Sequence, residues 1–280
     1  MLIGHEKNKK YFQNIIKSNA LNHAYLFTGP EMIGKRTFAI ELAEIINGRK
    51  ITNDPDFKLI SPKIADGKSK IYIDDSRTLK SFLSLKSYQG PYKIVIIDDA
   101  HCLTVEAANA LLKVLEEPLP FSILILVTSI PGMLLPTILS RCEEIKFMPV
   151  GKELSAQFIS QNKKLSQEDK TFLLTLADGR IGLLEKLTED NNLASAKKYI
   201  DDLRKLLNSP IYERMEYAKK IYDKEIYNQA VDYWLYWVSA HLKNSPKNAT
   251  IIKDLISLSG IISQPQFNHR LALENFLINL

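Results

Sequence analysis

Residues 24–35 read Ala-Tyr-Leu-Phe-Thr-Gly-Pro-Glu-Met-Ile-Gly-Lys and decide the fold of this chain. The apolar run at 24–27 is typical of a strand that is buried on both faces of a sheet. The residues from Arg36 to Asn47 carry apolar side chains at helical spacing, and Gly48 marks the end of that helix. A GxxxxGK loop between a strand and a helix predicts a P-loop, whose backbone N–H groups and helix N-terminus face a phosphate.

The loop departs from a complete P-loop at the position that would contact a metal ion. Arg36 stands where a Ser or Thr hydroxyl would coordinate Mg²⁺. Thr37 comes one residue late, and because one step along a helix turns a side chain by about 100°, we do not expect its hydroxyl to substitute. Lys35 and Arg36 begin a helix whose dipole disfavours positive charge unless an anion is bound, which favours phosphate recognition. Nucleotide binding is compatible with this loop, whereas hydrolysis is expected to be impaired. The nucleotide-binding residues predicted here are Gly29, Gly34, Lys35, Arg36 and Thr37.

Further apolar runs predict the rest of a parallel sheet covered by helices on both faces. Strands are expected at Lys93–Ile97 and Ser122–Thr128, with a weaker one at Phe57–Ile60, and helical patterns lie between them. Asp98 and Asp99 follow the first of these strands and are typical of a Walker B segment, in which one acid holds the metal's water shell and the next orients the attacking water. Asp99 is one methylene shorter than the usual Glu. The alternative interpretation is that the two acids only begin a turn, but the P-loop upstream favours the nucleotide site.

A second clear helix and an isolated arginine follow. The helix is expected from Thr104, as its N-cap, to Glu117, and Pro118 ends it. Beyond Thr128 the chain reads Ser140-Arg141-Cys142. An arginine in such a place is ordinarily a surface charge or a salt-bridge partner. A functional role for Arg141 can therefore be inferred only together with the other motifs of the chain.

Composition indicates an ordinary globular protein of more than one domain. The chain has 280 residues and a formal charge of +5, which is compatible with a nucleic-acid partner but does not require one. Its two cysteines form no CxxC pair, so we expect neither a disulfide framework nor a zinc site, and a reducing cytoplasm is the natural location.

The sequence contains no recognisable targeting or membrane segment. The first residues are charged, and the most apolar window, 121–139, is interrupted by Pro131-Gly132. We therefore expect no signal peptide and no membrane segment.

The remainder of the chain is predicted to be helical. After about Val150 the strand-like runs stop, which indicates a domain boundary. Residues 230–242 are helix-like and rich in aromatics, and such a stripe is either core packing or a partner-helix interface. The side chains that either interpretation concerns are Tyr233, Trp234, Tyr236 and Trp237.

Taken together, these motifs resemble one family of AAA+ proteins. The P-loop, Asp98-Asp99-Ala-His101, the run Ala107-Ala-Asn-Ala-Leu-Leu-Lys-Val-Leu-Glu-Glu-Pro118 and Ser140-Arg141-Cys142 are similar to those of the delta-prime and gamma/tau branch of bacterial DNA polymerase III clamp-loader subunits. The resemblance extends to both ends of the chain and implies an α/β fold with three parts: an AAA+ P-loop parallel-sheet domain at 1–149, a helical lid at 150–190 and an all-α collar domain at 191–280.

The resemblance also implies a role for Arg141. In this family the Arg of the Ser-Arg-Cys motif is an arginine finger that reaches the ATP of the adjacent subunit, and such fingers are worth about 10³–10⁵ in rate. The implied partners are the gamma/tau and delta subunits, the sliding clamp, and primer-template DNA through phosphate contacts. The sensor 1 residue would be Thr128, or Ser129 beside it.

Three departures from the family pattern separate its branches. Arg36 replaces the hydroxyl residue, and Gly182 stands at the position of the sensor 2 arginine, with Arg180 out of register. The segment 47–54 has no cysteine, whereas both branches commonly hold a four-cysteine zinc module there, so no zinc is expected. ATP or ADP is expected to bind weakly or not at all. This is the pattern of a delta-prime stator, which offers a finger in trans and hydrolyses little itself.

Three alternatives remain open on the sequence. The chain could be an active gamma/tau-like motor, with Thr37 recruited by a local shift and Arg180 serving as sensor. It could be a P-loop kinase, although no arginine-rich catalytic lid is evident and the helical tail would be unexplained. It could also be an assembly scaffold that tolerates Ala at position 141.

Overall fold

The computed structural model describes residues 3–65, 68–72, 79–83, 85–162, 164–189, 192–241, 246–262, 264 and 267–280. The chain divides after Val150: the first unit comprises Met1–Ala65 and Ser69–Val150, and the second unit comprises the residues from Gly151 onward. This is the position at which the strand-like runs of the sequence stop.

A parallel sheet of five strands forms the centre of the first unit. Its strand order is β2-β5-β6-β1-β7, and two short strands, β3 and β4, pair with each other separately. The strands are β1 (Ala24–Thr28), β2 (Phe57–Ile60), β3 (Lys63–Ala65), β4 (Lys68–Lys70), β5 (Lys93–Ile97), β6 (Ser122–Thr128) and β7 (Glu143–Lys146). The strands predicted from apolar runs are confirmed. The sequence did not indicate β7, because it is a short edge strand in which only Ile145 is buried.

Helices cover both faces of this sheet. They are α1 (Glu6–Lys17), α2 (Lys35–Asn47), α3 (Val105–Glu116) and the four-residue α4 (Pro136–Leu139), and residues 79–83 are also helical. Thr104 caps α3 as predicted, since its Oγ1 accepts a hydrogen bond from the N–H of Ala107 at 3.2 Å.

Successive side chains along each strand lie on opposite faces of the sheet. Phe27 belongs to one core, together with Phe12 of α1 and Phe38 of α2. Leu26 belongs to the other core, which α3, α4 and residues 79–83 cover. This three-layer arrangement is the predicted α/β class, and it brings the carboxyl ends of all five parallel strands to one edge of the sheet.

All the regular secondary structure in the described residues from Gly151 onward is α-helical. The helices of this second unit are α5 (Lys152–Ser160), α6 (Gln167–Ala177), α7 (Ile181–Thr188), α8 (Asn192–Leu206), α9 (Ile211–Asp223), α10 (Tyr227–His241), α11 (Pro246–Ile262) and α12 (His269–Ile278). No helix in the described part of the chain is long and apolar enough to cross a membrane.

The aromatic stripe on α10 lies in the core of this unit. Tyr233, Trp234, Tyr236 and Trp237 are all buried within the chain itself. The indole N–H of Trp234 donates to the carbonyl of Tyr199 at 2.8 Å. Core packing is therefore the correct interpretation, and the alternative that these four side chains contact other subunits is wrong, because they have almost no surface to offer.

Candidate nucleotide-binding site

The P-loop lies at the carboxyl edge of the sheet, between β1 and α2. Strand β1 is hydrogen-bonded to β6 on one side and to β7 on the other, so the loop lies beside the ends of both strands. Gly29 has φ +140°, and a Cβ there would lie 2.3 Å from the carbonyl oxygen of Phe147. Gly34 has φ +95° at the start of α2. Both glycines are required by the backbone, because side chains at these positions would be strained or would clash.

The side chain of Lys35 folds back onto the loop that precedes it. Its Nζ donates hydrogen bonds of 2.6 Å to the carbonyls of Gly29 and Pro30, and the residue is 7% exposed. Burial lowers the pKa of Lys35, although nearby carboxylates, with Glu31 the strongest, act to raise it. The P-loop lysine is therefore satisfied by its own loop in this conformation.

Arg36 forms an ion pair across the site. Its Nη1 donates to Oδ2 of Asp98 at 3.2 Å, which joins the first turn of α2 to the end of β5. The Arg36 side chain is 51% exposed and that of Asp98 is 13% exposed. Thr37 lies on the exposed side of the same turn. The structure thus brings together the predicted P-loop and Walker B residues, with a guanidinium group between them.

Asp99 lies in a tight turn with φ +45°. Burial of its carboxyl raises the pKa of Asp99, and the negative charge of Asp98 raises it further.

The two candidate sensor 1 residues have different partners. Thr128 is fully buried at the end of β6; its Oγ1 lies 3.1 Å from Nδ1 of His101 and accepts the N–H of Ile130, also at 3.1 Å. The hydroxyl of Ser129 donates to Oε1 of Glu31 at 3.2 Å. Thr128 therefore contacts the segment that follows Asp99, whereas Ser129 contacts the P-loop.

Arg141 lies in a separate group of contacts. Its Nη2 donates to Oε1 of Glu116 at 2.8 Å, and its Nη1 donates to the carbonyl of Thr137 at 3.0 Å. About a third of the side chain remains exposed. Beside it, burial raises the pKa of Cys142 to about 12, which makes this thiol inert at neutral pH.

The contacts of three further side chains with these residues could not be predicted from the sequence. Glu31 lies in the P-loop and Glu116 in the run before Pro118, but their partners Ser129 and Arg141 are distant in the chain. His5 lies against Phe147, and its Nε2 is 2.7 Å from the carbonyl oxygen of Ile33 in the P-loop. These contacts depend on packing between elements, so no local pattern could have predicted them.

An ion cluster lies just after α2, around Asp56. Asp56 is fully buried and is paired with Arg49 at 2.9 Å and Lys93 at 3.3 Å, and Arg49 also binds Asp54. The backbone N–H groups of residues 88–90 donate to the Asp56 carboxylate at 2.6–2.9 Å. We call Arg49, Asp54, Asp56 and Lys93 the Asp56 cluster. It ties the end of α2 to the loop before β5.

Arg180, the out-of-register sensor candidate, lies in the second unit. Its Nε donates to the carbonyl of Ala177 at 3.0 Å, and its guanidinium stacks on the ring of Tyr236 at 4.7 Å. These contacts attach the side chain to helices of its own unit.

Comparison with known proteins identifies the family. Residues 4–151 match the family model described as "DNA polymerase III, delta subunit". The chain is 34% identical to the delta-prime subunit of Bacillus subtilis over 170 residues, which cover 55% of this chain and 50% of that protein. It is 30% identical to the delta-prime subunit of Pseudomonas aeruginosa over 209 residues, or 68% and 62% of the two chains. The tau subunit of Bacillus subtilis is 32% identical over 173 residues, which cover 56% of this chain and 30% of that protein. The chain thus matches less than two thirds of the length of these relatives.

Solved structures agree on the fold. A gamma-subunit-related protein of Thermotoga maritima superimposes with a TM-score of 0.58 at 22% identity, covering 95% of this chain and 97% of that one. A variant of RuvB from the same organism superimposes with a TM-score of 0.51 at 16% identity, covering 72% of this chain and 64% of that one. Because the family model covers more than half of the chain and the fold is that of P-loop AAA+ proteins, the chain belongs to the bacterial DNA polymerase III clamp-loader subunits, the family of the delta-prime and gamma/tau proteins.

Proposed function

We propose that this protein is the delta-prime-like stator of a bacterial clamp loader. It helps to load the sliding clamp on primer-template DNA, hydrolyses little ATP itself, and offers Arg141 to the ATP bound by a neighbouring subunit. The observation that carries this proposal is the ion pair between Arg36 and Asp98 at 3.2 Å. A motor subunit needs a hydroxyl and a free carboxylate here to hold Mg²⁺.

The proposed architecture has three domains, which follow the family pattern: the AAA+ domain at 1–149, the lid at 150–190 and the collar at 191–280. The degenerate nucleotide site comprises Gly29, Gly34, Lys35, Arg36, Thr37, Asp98 and Asp99, with Thr128 in the sensor position. In the cytoplasm the chain would assemble with gamma/tau and delta subunits. It would contact DNA mainly through phosphates, so that binding depends on salt and not on base sequence.

A gamma/tau-like motor is the second candidate, because tau and gamma/tau subunits match this chain about as well as delta-prime subunits do. ATP hydrolysis by the isolated chain, measured as phosphate release, separates the two functions. A stator shows no turnover above the level of the Lys35→Ala variant. Turnover that Lys35→Ala abolishes would instead establish a motor.

Glu116 provides a test of how Arg141 is presented to a neighbour. The pair is partly exposed and so contributes at most about 1 kcal/mol. In the assembled loader, Glu116→Gln removes a competing carboxylate from Arg141. Because the guanidinium of Arg141 acts on the transition state, we therefore expect kcat to rise by up to about fivefold, with the KM for ATP little changed.

Steady-state kinetics of the reconstituted loader measure this effect. Glu117→Gln is the matched control, because Glu117 is the adjacent exposed glutamate on the same segment. A fall of kcat to the level of an Arg141→Ala loader would contradict the prediction, since it would mean that Glu116 orients the finger.

A further inference from the structure

The ion pair between Arg36 and Asp98 lies where the family's P-loop proteins hold a metal ion. In those proteins a hydroxyl on the residue after the P-loop lysine and the first Walker B acid together hold Mg²⁺. Here the hydroxyl is replaced by a guanidinium, and that guanidinium binds the Walker B carboxylate at 3.2 Å. Thr37 lies one residue further along the helix, on its exposed side. The residues present therefore do not fit a magnesium ion.

Charge leads to the same conclusion. A guanidinium and a divalent cation at the same carboxylate repel each other. The charge of Asp98 is already balanced by Arg36, which belongs to the same chain and does not dissociate from it. A magnesium ion at Asp98 would therefore compete with Arg36 for the carboxylate.

Arg36 is also the cation that a ligand could reach. Lys35 is buried and donates to the carbonyls of Gly29 and Pro30. The Arg36 side chain is half exposed and has five N–H donors, of which one reaches Asp98. Guanidinium groups bind phosphate oxygens with paired hydrogen bonds. A phosphate approaching the N-terminus of α2 would meet the guanidinium of Arg36 first.

The nearby acids are largely compensated. Asp98 is paired with Arg36, and Glu31 accepts the hydroxyl of Ser129. Burial and the charge of Asp98 raise the pKa of Asp99. The ion pair of Asp98 with Arg36 reduces the repulsion that an anionic ligand would meet here.

We propose that Arg36 takes the place of the magnesium ion at this site, so that the P-loop binds nucleotide phosphates as the metal-free anion. This inference deepens the proposed degenerate nucleotide site and does not involve Arg141. It assigns to Arg36 the selectivity between a free nucleotide and its magnesium complex. Without a metal to polarise the terminal phosphate, such a site would retain nucleotide without turnover.

Isothermal titration of the full chain with ADP tests this proposal, once in excess EDTA and once in excess magnesium. We expect the wild-type chain to bind ADP at least as tightly in EDTA as in magnesium. Arg36→Thr restores the hydroxyl and frees Asp98, so magnesium should tighten ADP binding to this variant by about tenfold or more. Arg36→Lys keeps the positive charge and is the matched control, which should not gain this magnesium dependence.

Two outcomes would overturn the proposal: loss of wild-type binding in EDTA, or no binding of ADP under either condition. Thermal unfolding of each variant shows whether it is folded. Failure of this inference is distinct from failure of the stator function. The stator function is judged by ATP turnover, in the isolated chain and in the assembled loader, whereas the inference is judged by ADP binding to the isolated chain.

Discussion

Replacing Arg141 by alanine is expected to reduce hydrolysis at the interface that it completes by about 10³-fold or more in the assembled loader. The physical reason is that a guanidinium placed against the transferring phosphate stabilises charge that develops only in the transition state. Arg141 is suited to this task because about a third of its side chain is exposed and its partner Glu116 is itself half exposed. The pair can therefore exchange its carboxylate for a phosphate at low cost.

Rapid-quench measurement of the first turnover, with clamp and primer-template DNA present, isolates this effect. The part of the burst amplitude that comes from the interface with Arg141 should disappear, while the amplitude from the other interfaces should be unchanged. Arg141→Lys retains the charge but not the paired hydrogen bonds, so it should recover only part of the rate. Lys35→Ala serves as the comparison within the same chain and should leave the burst almost unchanged. If Lys35→Ala removes the burst and Arg141→Ala does not, the chain is a motor.

Replacing Asp56 by asparagine is expected to lower the free energy of unfolding by about 3–5 kcal/mol, the usual cost of removing one partner from a buried ion pair. The change leaves Lys93 without its charged partner in a buried position. It also turns one acceptor into a donor that faces the backbone N–H groups of residues 88–90. Chemical denaturation followed by circular dichroism measures the loss. Glu44→Gln is the control, because it removes an ion pair between α2 and the exposed Lys50 just beyond that helix and should leave the transition nearly unchanged.

The Asp56 cluster also predicts how stability depends on pH. Burial by itself raises the pKa of Asp56, but the hydrogen bonds from the backbone of residues 88–90 and from Arg49 outweigh it and hold this pKa far below the ordinary value. The hydrogen bond from Arg49 likewise lowers the pKa of Asp54. Both carboxyls therefore titrate at lower pH in the folded chain than in the unfolded chain, where an Asp titrates near about 3.9.

The sign of the effect follows from this difference. The stability that these two carboxyls contribute is fully present above about pH 4 and is lost as the pH falls through their folded values. Denaturation midpoints measured at a series of acidic pH values should therefore fall less steeply for Asp56→Asn than for the wild-type chain. Parallel curves for the two proteins would mean that the pKa of Asp56 is the same in the folded and the unfolded chain.

Much of the first unit was predictable from local patterns. Apolar runs of four to seven residues identified β1, β5 and β6, because strands buried on both faces need mostly apolar side chains. The P-loop was predictable because its glycines are required by the backbone: Gly29 has no room for a Cβ beside the carbonyl of Phe147. Strand β7 escaped prediction, since an exposed edge strand needs only one buried residue, Ile145.

The sequence by itself determined the class of the fold, the position of the phosphate loop and the two acids that face it, since each depends on residues close together in the chain. Only the tertiary structure decided which charges pair. Arg36 meets Asp98, 62 residues away, and Arg141 meets Glu116, 25 residues away. It also decided that Trp234 and its aromatic neighbours on α10 are buried in the core. The physical reason is the same in each case: the burial of a side chain and the partner of a charge depend on the packing of distant elements, and a helical or strand-like pattern specifies only which face a residue occupies.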